Sequence, residues 1–319
     1  MFLFFPYTLM FFFFLFTSTM MIVSAPNWLT AWFSMELNLL SIIPLMTSSK
    51  ALQELESTTK YFFAQSLGSI LVLLSVFSSL TWASYVICLG LLMKLGIVPF
   101  HFWFPAVMSG VSWEMCMVIS TWQKFPILSL LSFLASSLQL LFLLIGALSV
   151  FVGGLLGLNQ TQLRTLLAYS SIAHTGWITA LMAQSSPASW FYFFTYVFIT
   201  ISSMLFLKSK NALFFWSFTA SPVLLLLLLS LSGLPPFTGF AIKLGAISLI
   251  SNVSIFTCIV MVLGSLLSLY FYLSLGFNLL FRSFSRPIDQ LSPSSFFSSL
   301  SYSASVLGFF CVGTLFLFL

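Results

Sequence analysis

Charge is what this sequence lacks most. Only 5% of its 319 residues are Asp, Glu, Lys or Arg, whereas 60% are hydrophobic. A folded domain in water needs charge on its surface, so a soluble globular protein is excluded. The ten basic and five acidic residues leave a net charge of +5, too sparse and scattered for a nucleic-acid surface. Cysteine is scarce as well. Cys88, Cys116, Cys258 and Cys311 lie singly in apolar runs, so they read as small buried hydrophobes rather than as a metal site or disulfide framework. The chain has no P-loop and no G-x-G-x-x-G after a strand, which excludes nucleotide or nicotinamide binding by this chain. Two histidines cannot supply paired ligands for two haems, which excludes a cytochrome b. The amino-terminal stretch MFLFFPYTLMFFFFLF lacks both the basic start of a secretory signal and the Arg/Ser-rich pattern of a transit peptide. Its helix is expected to be kept.

What is present in quantity is long apolar runs, and the mean hydropathy is +1.14. Runs of this length read as membrane helices. The pattern predicts an all-α integral membrane protein with about eleven spanning segments, at about 2–24, 28–46, 61–80, 82–106, 112–134, 138–158, 163–183, 188–207, 219–250, 254–281 and 299–319. Assigned alternately to two sides, the loops bearing Lys50, Glu54, Glu56, Lys60, Arg164, Lys208, Lys210, Arg282, Arg286 and Asp289 all fall on the amino-terminal side. The basic excess marks the side from which insertion starts, so the amino terminus is expected inside and the carboxyl terminus outside.

The fourth and ninth segments are too long for one straight helix. One is interrupted at Pro99, the other at Gly233-Leu-Pro235-Pro236. Each is the fourth of a group of five. Within a single membrane domain spanning 1–319, this predicts two inverted five-helix repeats, 1–134 and 138–281, with a further helix at 299–319. Paired broken helices in inverted halves point to a transport site at the midplane. Pro99, Pro126, Pro235 and Pro236 also remove backbone donors, leaving the carbonyls of Leu95, Trp122, Leu231 and Ser232 to find other partners.

Six ionisable residues fall well inside these spans: Glu36, Lys94, His101, Lys124, His174 and Lys243. Lys94 and Lys124 are each about twelve residues from a segment end, roughly 18 Å at 1.5 Å per residue, too far for the ammonium to reach the interface. An intramembrane lysine costs about 2.5–3.5 kcal/mol on insertion scales and marks a functional site by default. Lys243 lies nearer an end. The bland alternative for either histidine is a satisfied packing residue. Ser120 and Thr121 precede Lys124 by a turn, and Ser170 and Ser171 precede His174, giving polar stripes unless they bond back to their own helices. Glu36 is the one carboxylate deep in a segment, and Lys94 is its expected partner. A charge pair at 4 Å is worth about 4 kcal/mol at an effective dielectric of 20, so movement of Glu36 could hold or release a proton on Lys94. The alternative is a static pair that only orients helices. Gly153 and Gly157 read as a close helix contact.

Several motifs, in order, resemble one family: Trp32-x-x-x-Glu36-x-Asn38 with Ile42-Ile43-Pro44, Lys94-Leu-Gly-x-x-Pro99-Phe-His-Phe-Trp103, Thr121-Trp-Gln-Lys124-x-Pro126, Leu166-Leu-Ala-Tyr-Ser-Ser-Ile-Ala-His174-x-Gly-Trp177, and Leu231-Ser-Gly-Leu-Pro-Pro-Phe-Thr-Gly-Phe240 with Lys243. From about Trp28 to Ile250 the chain resembles the mitochondrially encoded subunit 2 family of NADH:ubiquinone oxidoreductase, respiratory complex I, whose members are related to cation/proton antiporter subunits. The resemblance implies a multi-pass subunit of the mitochondrial inner membrane, with its amino terminus in the matrix and its carboxyl terminus in the intermembrane space. It implies proton translocation along a midplane axis, with Glu36 as pairing glutamate, Lys94 its partner, Lys124 the connecting lysine, Lys243 the terminal lysine, and His101 and His174 on the same axis. It also implies no cofactor in this chain, since NADH, FMN, iron–sulfur clusters and ubiquinone belong to other subunits. Expected partners are other membrane and accessory subunits, neighbouring antiporter-like subunits among them, and lipids. Ala106 departs from the pattern: many relatives carry an acid there, after the proline, so a proton entrance on the matrix side is not expected at that position. Two other classes remain open. A cation/proton antiporter would need a carboxylate-rich cation site, which one buried glutamate argues against. A purely structural membrane subunit would use its buried charges only to hold helices together.

Overall fold

The computed structural model describes residues 6–47, 51–77, 82–209, 222–235 and 237–284. The expected eleventh segment lies outside the described residues, as do Lys50, Lys210, Pro236, Arg286, Asp289 and Cys311. Every regular element among the described residues is helical: α1 Pro6–Val23, α2 Trp28–Met46, α3 Leu52–Phe77, α4 Ala83–Leu95, α5 Trp103–Gly110, α6 Trp113–Met117, α7 Lys124–Leu134, α8 Gln139–Gly157, α9 Leu163–Met182, α10 Ser186–Ser209, α11 Pro222–Ser232, α12 Thr238–Ser251 and α13 Ile255–Phe284. Six stretches are long and apolar enough to span a membrane: α2, α3, α6 through α7, α8, α10 and Ile255–Asn278 of α13. Shorter apolar helices accompany them. Large side chains such as Phe13, Phe63, Leu74 and Phe256 point outward, as expected where the surrounding solvent is lipid.

The fourth and ninth segments are interrupted where the prolines and glycines predicted. α4 ends at Leu95, with Gly96 in the left-handed region (φ 69°), and the chain re-enters a helix at Trp103. α11 ends at Ser232, with Gly233 at φ 82°, and α12 begins at Thr238. Only glycine takes this conformation without steric cost, and it turns the chain out of the helix. Two features differ from the sequence reading. α3 starts at Leu52 rather than near Tyr61, because the polar stretch before Tyr61 continues the helix, with an exposed Lys60–Glu56 pair at 2.6 Å along one face. The fifth segment is not a plain helix: α6 passes into a π-helical turn, Val118–Trp122, before α7. The Gln123 N–H reaches back to the Val118 carbonyl at 3.0 Å, and this wider turn lies next to Pro126, which cannot donate.

The chain forms two compact units, 1–139 and 140–319. In the first, α2 packs against α1 and α3, α3 against α4 and α5, and α7 against α1 and α4. α3 and α4 touch through backbone. A Cβ at Gly90 would lie 2.8 Å from the Gly68 carbonyl oxygen, and one at Gly68 would lie 2.7 Å from Cγ of Lys94. In the second unit α9 is central, in contact with α10, α12 and α13. From Leu166 to Met182 nearly every residue of α9 is buried, including Ser170, Ser171, His174, Thr175 and Thr179. A helix enclosed all round normally lacks such a polar set. Gly153 packs on Tyr169 and Ala173, and Gly157 on Phe271, so these glycines do serve helix contact. Replacing Gly90 by Leu is expected to push α3 from α4 at a cost of about 1–3 kcal/mol, as overpacking does. A thermal-denaturation midpoint of the purified protein equal to wild type would contradict that contact.

Candidate functional site

In the first unit the geometry is organised by two buried lysines. Lys94 stands in the last turn of α4 and is 4% exposed; Lys124 opens α7 and is 2% exposed. At the α4 break side-chain donors reach the last carbonyls, that of Met93 in addition to the Gly96 N–H at 3.2 Å. Gln65 Nε2 donates to the Lys94 carbonyl at 3.0 Å, and Trp103 Nε1 to that of Met93 at 3.0 Å. The absence of a side chain at Gly68 makes room for the Lys94 alkyl stem. Lys124 Nζ lies 4.8 Å from the centroid of the Phe104 ring, a cation–π contact worth about 2 kcal/mol where water is excluded.

Two small cavities adjoin these ammonium groups. One is lined by Lys94, Asn38, Gln65, Gln123 and Tyr61; the other by Lys94, Lys124, Gln65, Gln123, Tyr61 and Phe104. The first offers about 20 Å³ to the centres of water molecules and the second about 10 Å³. A buried water needs about 10–15 Å³ in this measure, so the first accommodates one and the second is at the limit. Gln123 Nε2 donates to Asn38 Oδ1 at 2.7 Å, while Asn38 Nδ2 is buried without a partner. The lysines therefore share polar walls of amides and a phenol.

Glu36 departs from expectation. It is half-buried on α2, beside the exposed Phe33 and Leu40. It lies close enough to act electrostatically on Lys94, but the two form no ion pair within 4 Å. The deeply buried pair expected from the sequence is thus a looser, longer-range one, because Glu36 shares a helix face with side chains directed outward. His101 is 4% exposed and stacks against Phe102, with ring centroids 4.1 Å apart. Its ring nitrogens lack a well-formed hydrogen bond among the described residues, and it lines neither cavity.

The second unit holds His174 and Lys243. His174 Nδ1 meets the Tyr192 hydroxyl at 3.0 Å, and its ring lies against that of Tyr196 at 5.2 Å. Lys243 is 7% exposed, and its Nζ donates to the Ser232 carbonyl at 2.7 Å. That is one of the carbonyls expected to lose its helical donor, so the lysine closes the broken end of α11. The hydroxyls read as stripes bond back to their own helices: Ser120 and Thr121 to the Met117 carbonyl, Ser170 to Leu167 and Ser171 to Ala168. Cys88, Cys116 and Cys258 are buried thiols. Among the described residues no three His, Cys, Asp or Glu gather as metal ligands. The sequence reading passed over Tyr61, Gln65, Gln123, Tyr192 and Tyr196. The available signal was an amide or phenol at helical spacing from a lysine or histidine.

Comparison with known proteins decides the family. A family model described as NADH:quinone oxidoreductase/Mrp antiporter, TM, matches residues 25–83 and 75–268. The chain is 42% identical over 277 residues to NADH-ubiquinone oxidoreductase chain 2 of Lumbricus terrestris, covering 81% of this chain and 82% of the relative. It is also 42% identical over 287 residues to the protein of that name from Myxine glutinosa, covering 82% of each. The chain belongs to this family. Among solved structures it resembles a chain of respiratory complex I from Thermus thermophilus at a TM-score of 0.81 and 25% identity, covering 98% of this chain and 78% of that one. The family's antiporter-like fold thus carries both lysine sites. Gln65→Leu, which keeps bulk but strands the buried Lys94 carbonyl, is expected to destabilise the protein by about 1–3 kcal/mol. An unchanged unfolding midpoint would show that this carbonyl has another partner.

Proposed function

We propose that the chain is a core membrane-arm subunit of respiratory complex I that translocates protons along buried lysines, histidine and internal water, driven by electron transfer in other subunits. The observation that carries this reading is the pair Lys94 and Lys124, both buried, with Lys94 lining two water-sized cavities and Lys124 sharing the second beside Gln65, Gln123 and Tyr61. Ionisable groups inside a membrane that face a water-sized cavity mark ion and proton relays by default.

In this reading protons enter from the matrix side and pass by way of Lys94 and Lys124 to His174 and Lys243, with His101 at the edge of the axis. Glu36 biases the charge on Lys94 from a distance, so a change in a neighbouring subunit beside α2 shifts the occupancy of Lys94. Moving one charge through the membrane takes about 2.3 kcal/mol per 100 mV, the same order as a nearby charge pair at an effective dielectric of 20. The chain holds no redox centre of its own; NADH, FMN, iron–sulfur clusters and ubiquinone are handled elsewhere in the assembly. Lipids and other complex I subunits, including a neighbouring antiporter-like one, surround it in the mitochondrial inner membrane.

The finer architecture belongs to the same proposal: eleven spans, two inverted five-helix repeats at 1–134 and 138–281, the amino terminus in the matrix and the carboxyl terminus in the intermembrane space. The division of the chain at 139/140 and the glycine-ended breaks after Leu95 and Ser232 support it. One observation favours a static role for one member. Lys243 is hydrogen-bonded to the Ser232 carbonyl, as a helix-capping residue would be.

Lys124→Met keeps length and apolar bulk and removes the proton site. In the assembled complex it is expected to lower the number of protons moved per electron while NADH oxidation continues. A full proton-to-electron ratio in proteoliposomes would leave the lysines with a structural role only. If the purified chain moved protons against a metal cation without copurifying flavin and iron–sulfur subunits, the antiporter reading would replace this one.

A further inference from the structure

We propose that Glu54 is the carboxylate through which protons enter toward Lys94 and Lys124 from the face bearing the charged loops. The inference rests on the proton-translocating reading above. From the sequence Glu54 is a loop charge. In the structure α3 has already begun, and Glu54 lies in its first turn, 7% exposed, while Gln53, Leu55 and Glu56 around it are exposed. Burying a carboxylate carries a desolvation cost that complementing the helix N-terminus, worth at most about 2 kcal/mol when partly buried, does not by itself explain; Glu56, two residues on, is exposed and paired with Lys60.

Burial of Glu54 begins a pattern. The buried residues of α3 recur as Glu54, Ser57, Thr58, Tyr61, Ala64, Gln65 and Gly68, one face of a helix at three- and four-residue spacing. Five of the first six are polar, where a core-facing stripe is normally apolar. Thr58 and Ser57 bind back to the Glu54 carbonyl and keep oxygen lone pairs to accept further bonds. Tyr61 and Gln65 line both cavities at the lysines, and Gln65 holds the Lys94 carbonyl. Taking the adjacent Ser57 and Thr58 as one step, the polar members Glu54, Ser57/Thr58, Tyr61 and Gln65 lie three or four residues apart, about 4.5–6 Å of rise, a gap that one bridging water spans.

α5 covers this stripe. The Trp103 ring meets that of Tyr61 at 5.8 Å, and a Cβ at Gly110 would lie 2.8 Å from the Gln53 carbonyl oxygen and 3.2 Å from Cβ of Ser57. α5 therefore runs antiparallel to α3, and Ala106, three residues after Trp103, falls on the same face between the two contacts. The position where an acid would be sought on α5 is alanine, and the acid stands on the facing helix instead. Protonated Glu54 gives its proton to a bound water, the hydroxyl-and-water chain delivers a proton to neutral Lys94 Nζ, and the carboxylate recovers one from bulk water.

Proton-to-electron ratio, complex content and NADH oxidation are measured for Glu54→Gln, Glu54→Gln with Ala106→Glu, and Lys124→Met in reconstituted complex. Glutamine keeps the hydrogen-bonding shape and loses the titrating proton. The ratio for Glu54→Gln is expected to fall to that of Lys124→Met at normal complex content, and the acid restored across the helix pair at Ala106 to recover at least half of the loss. A full ratio for Glu54→Gln beside a lowered one for Lys124→Met overturns the entry assignment and leaves the pump reading standing. A full ratio for both overturns the pump reading itself. A lowered ratio with reduced complex content and no recovery by Ala106→Glu makes Glu54 a folding residue and ends the proposal.

Discussion

The dependence that governs the rest of this molecule is that of an ammonium ion in a low-dielectric interior on the polar groups packed around it. An isolated buried charge is too costly to persist without partners. Lys124 lies against the face of Phe104, Lys243 against a freed backbone carbonyl, and Lys94 beside a water-sized polar cavity. Each of these contacts offers less than the roughly 4 kcal/mol of a carboxylate at 4 Å in an effective dielectric of 20. Contacts of that strength offset only part of the desolvation cost.

The helix breaks follow from the same dependence. Breaking a helix at membrane depth exposes carbonyls that lipid cannot satisfy, and so each break must be built next to donors. The α4 break has Gln65 and Trp103 as donors; the α11 break has Lys243 itself. Glycine with positive φ ends each helix sharply, so the orphan carbonyls are few and concentrated. Charge and broken backbone thus stabilise one another. The lysine is tolerated because carbonyls and amides are near, and the break is tolerated because a donor is near.

This mutual need explains how much was legible before any coordinates. Lys94, Lys124 and Lys243 are out of place in apolar runs, and Pro99 and the Gly233-to-Pro236 stretch cannot continue a helix, so the breaks, the lysines and the freed Ser232 carbonyl could be read directly. Gln65, Gln123 and Tyr61 could not. A single amide or phenol in a span is ordinary packing until its helix face is known, and that face depends on which neighbours α3 and α7 meet. The early start of α3 was hidden because the charges of Glu54, Glu56 and Lys60 suggest a loop, although alternate faces of one helix accommodate both a buried Glu54 and an exposed ion pair. The π-turn before Lys124 had only Pro126 as a signal, and a missing donor can be relieved in several ways.

Glu36 shows why a misread contact matters for mechanism. A carboxylate locked against Lys94 would hold its partner charged whatever happened elsewhere. Glu36 instead acts across more than an ion-pair distance, from a helix face it shares with outward-directed Phe33 and Leu40. Coulomb energy falls as the reciprocal of distance: at an effective dielectric of 20 it is about 4 kcal/mol at 4 Å and about 2 kcal/mol at 8 Å. Displacing that carboxylate by a few ångströms changes the energy of the charged lysine by about 2 kcal/mol, close to the work of moving a proton charge through 100 mV. In the proposed reading, a half-buried glutamate on that side of the helix keeps its distance to the lysine adjustable from outside the chain, as a buried one would not.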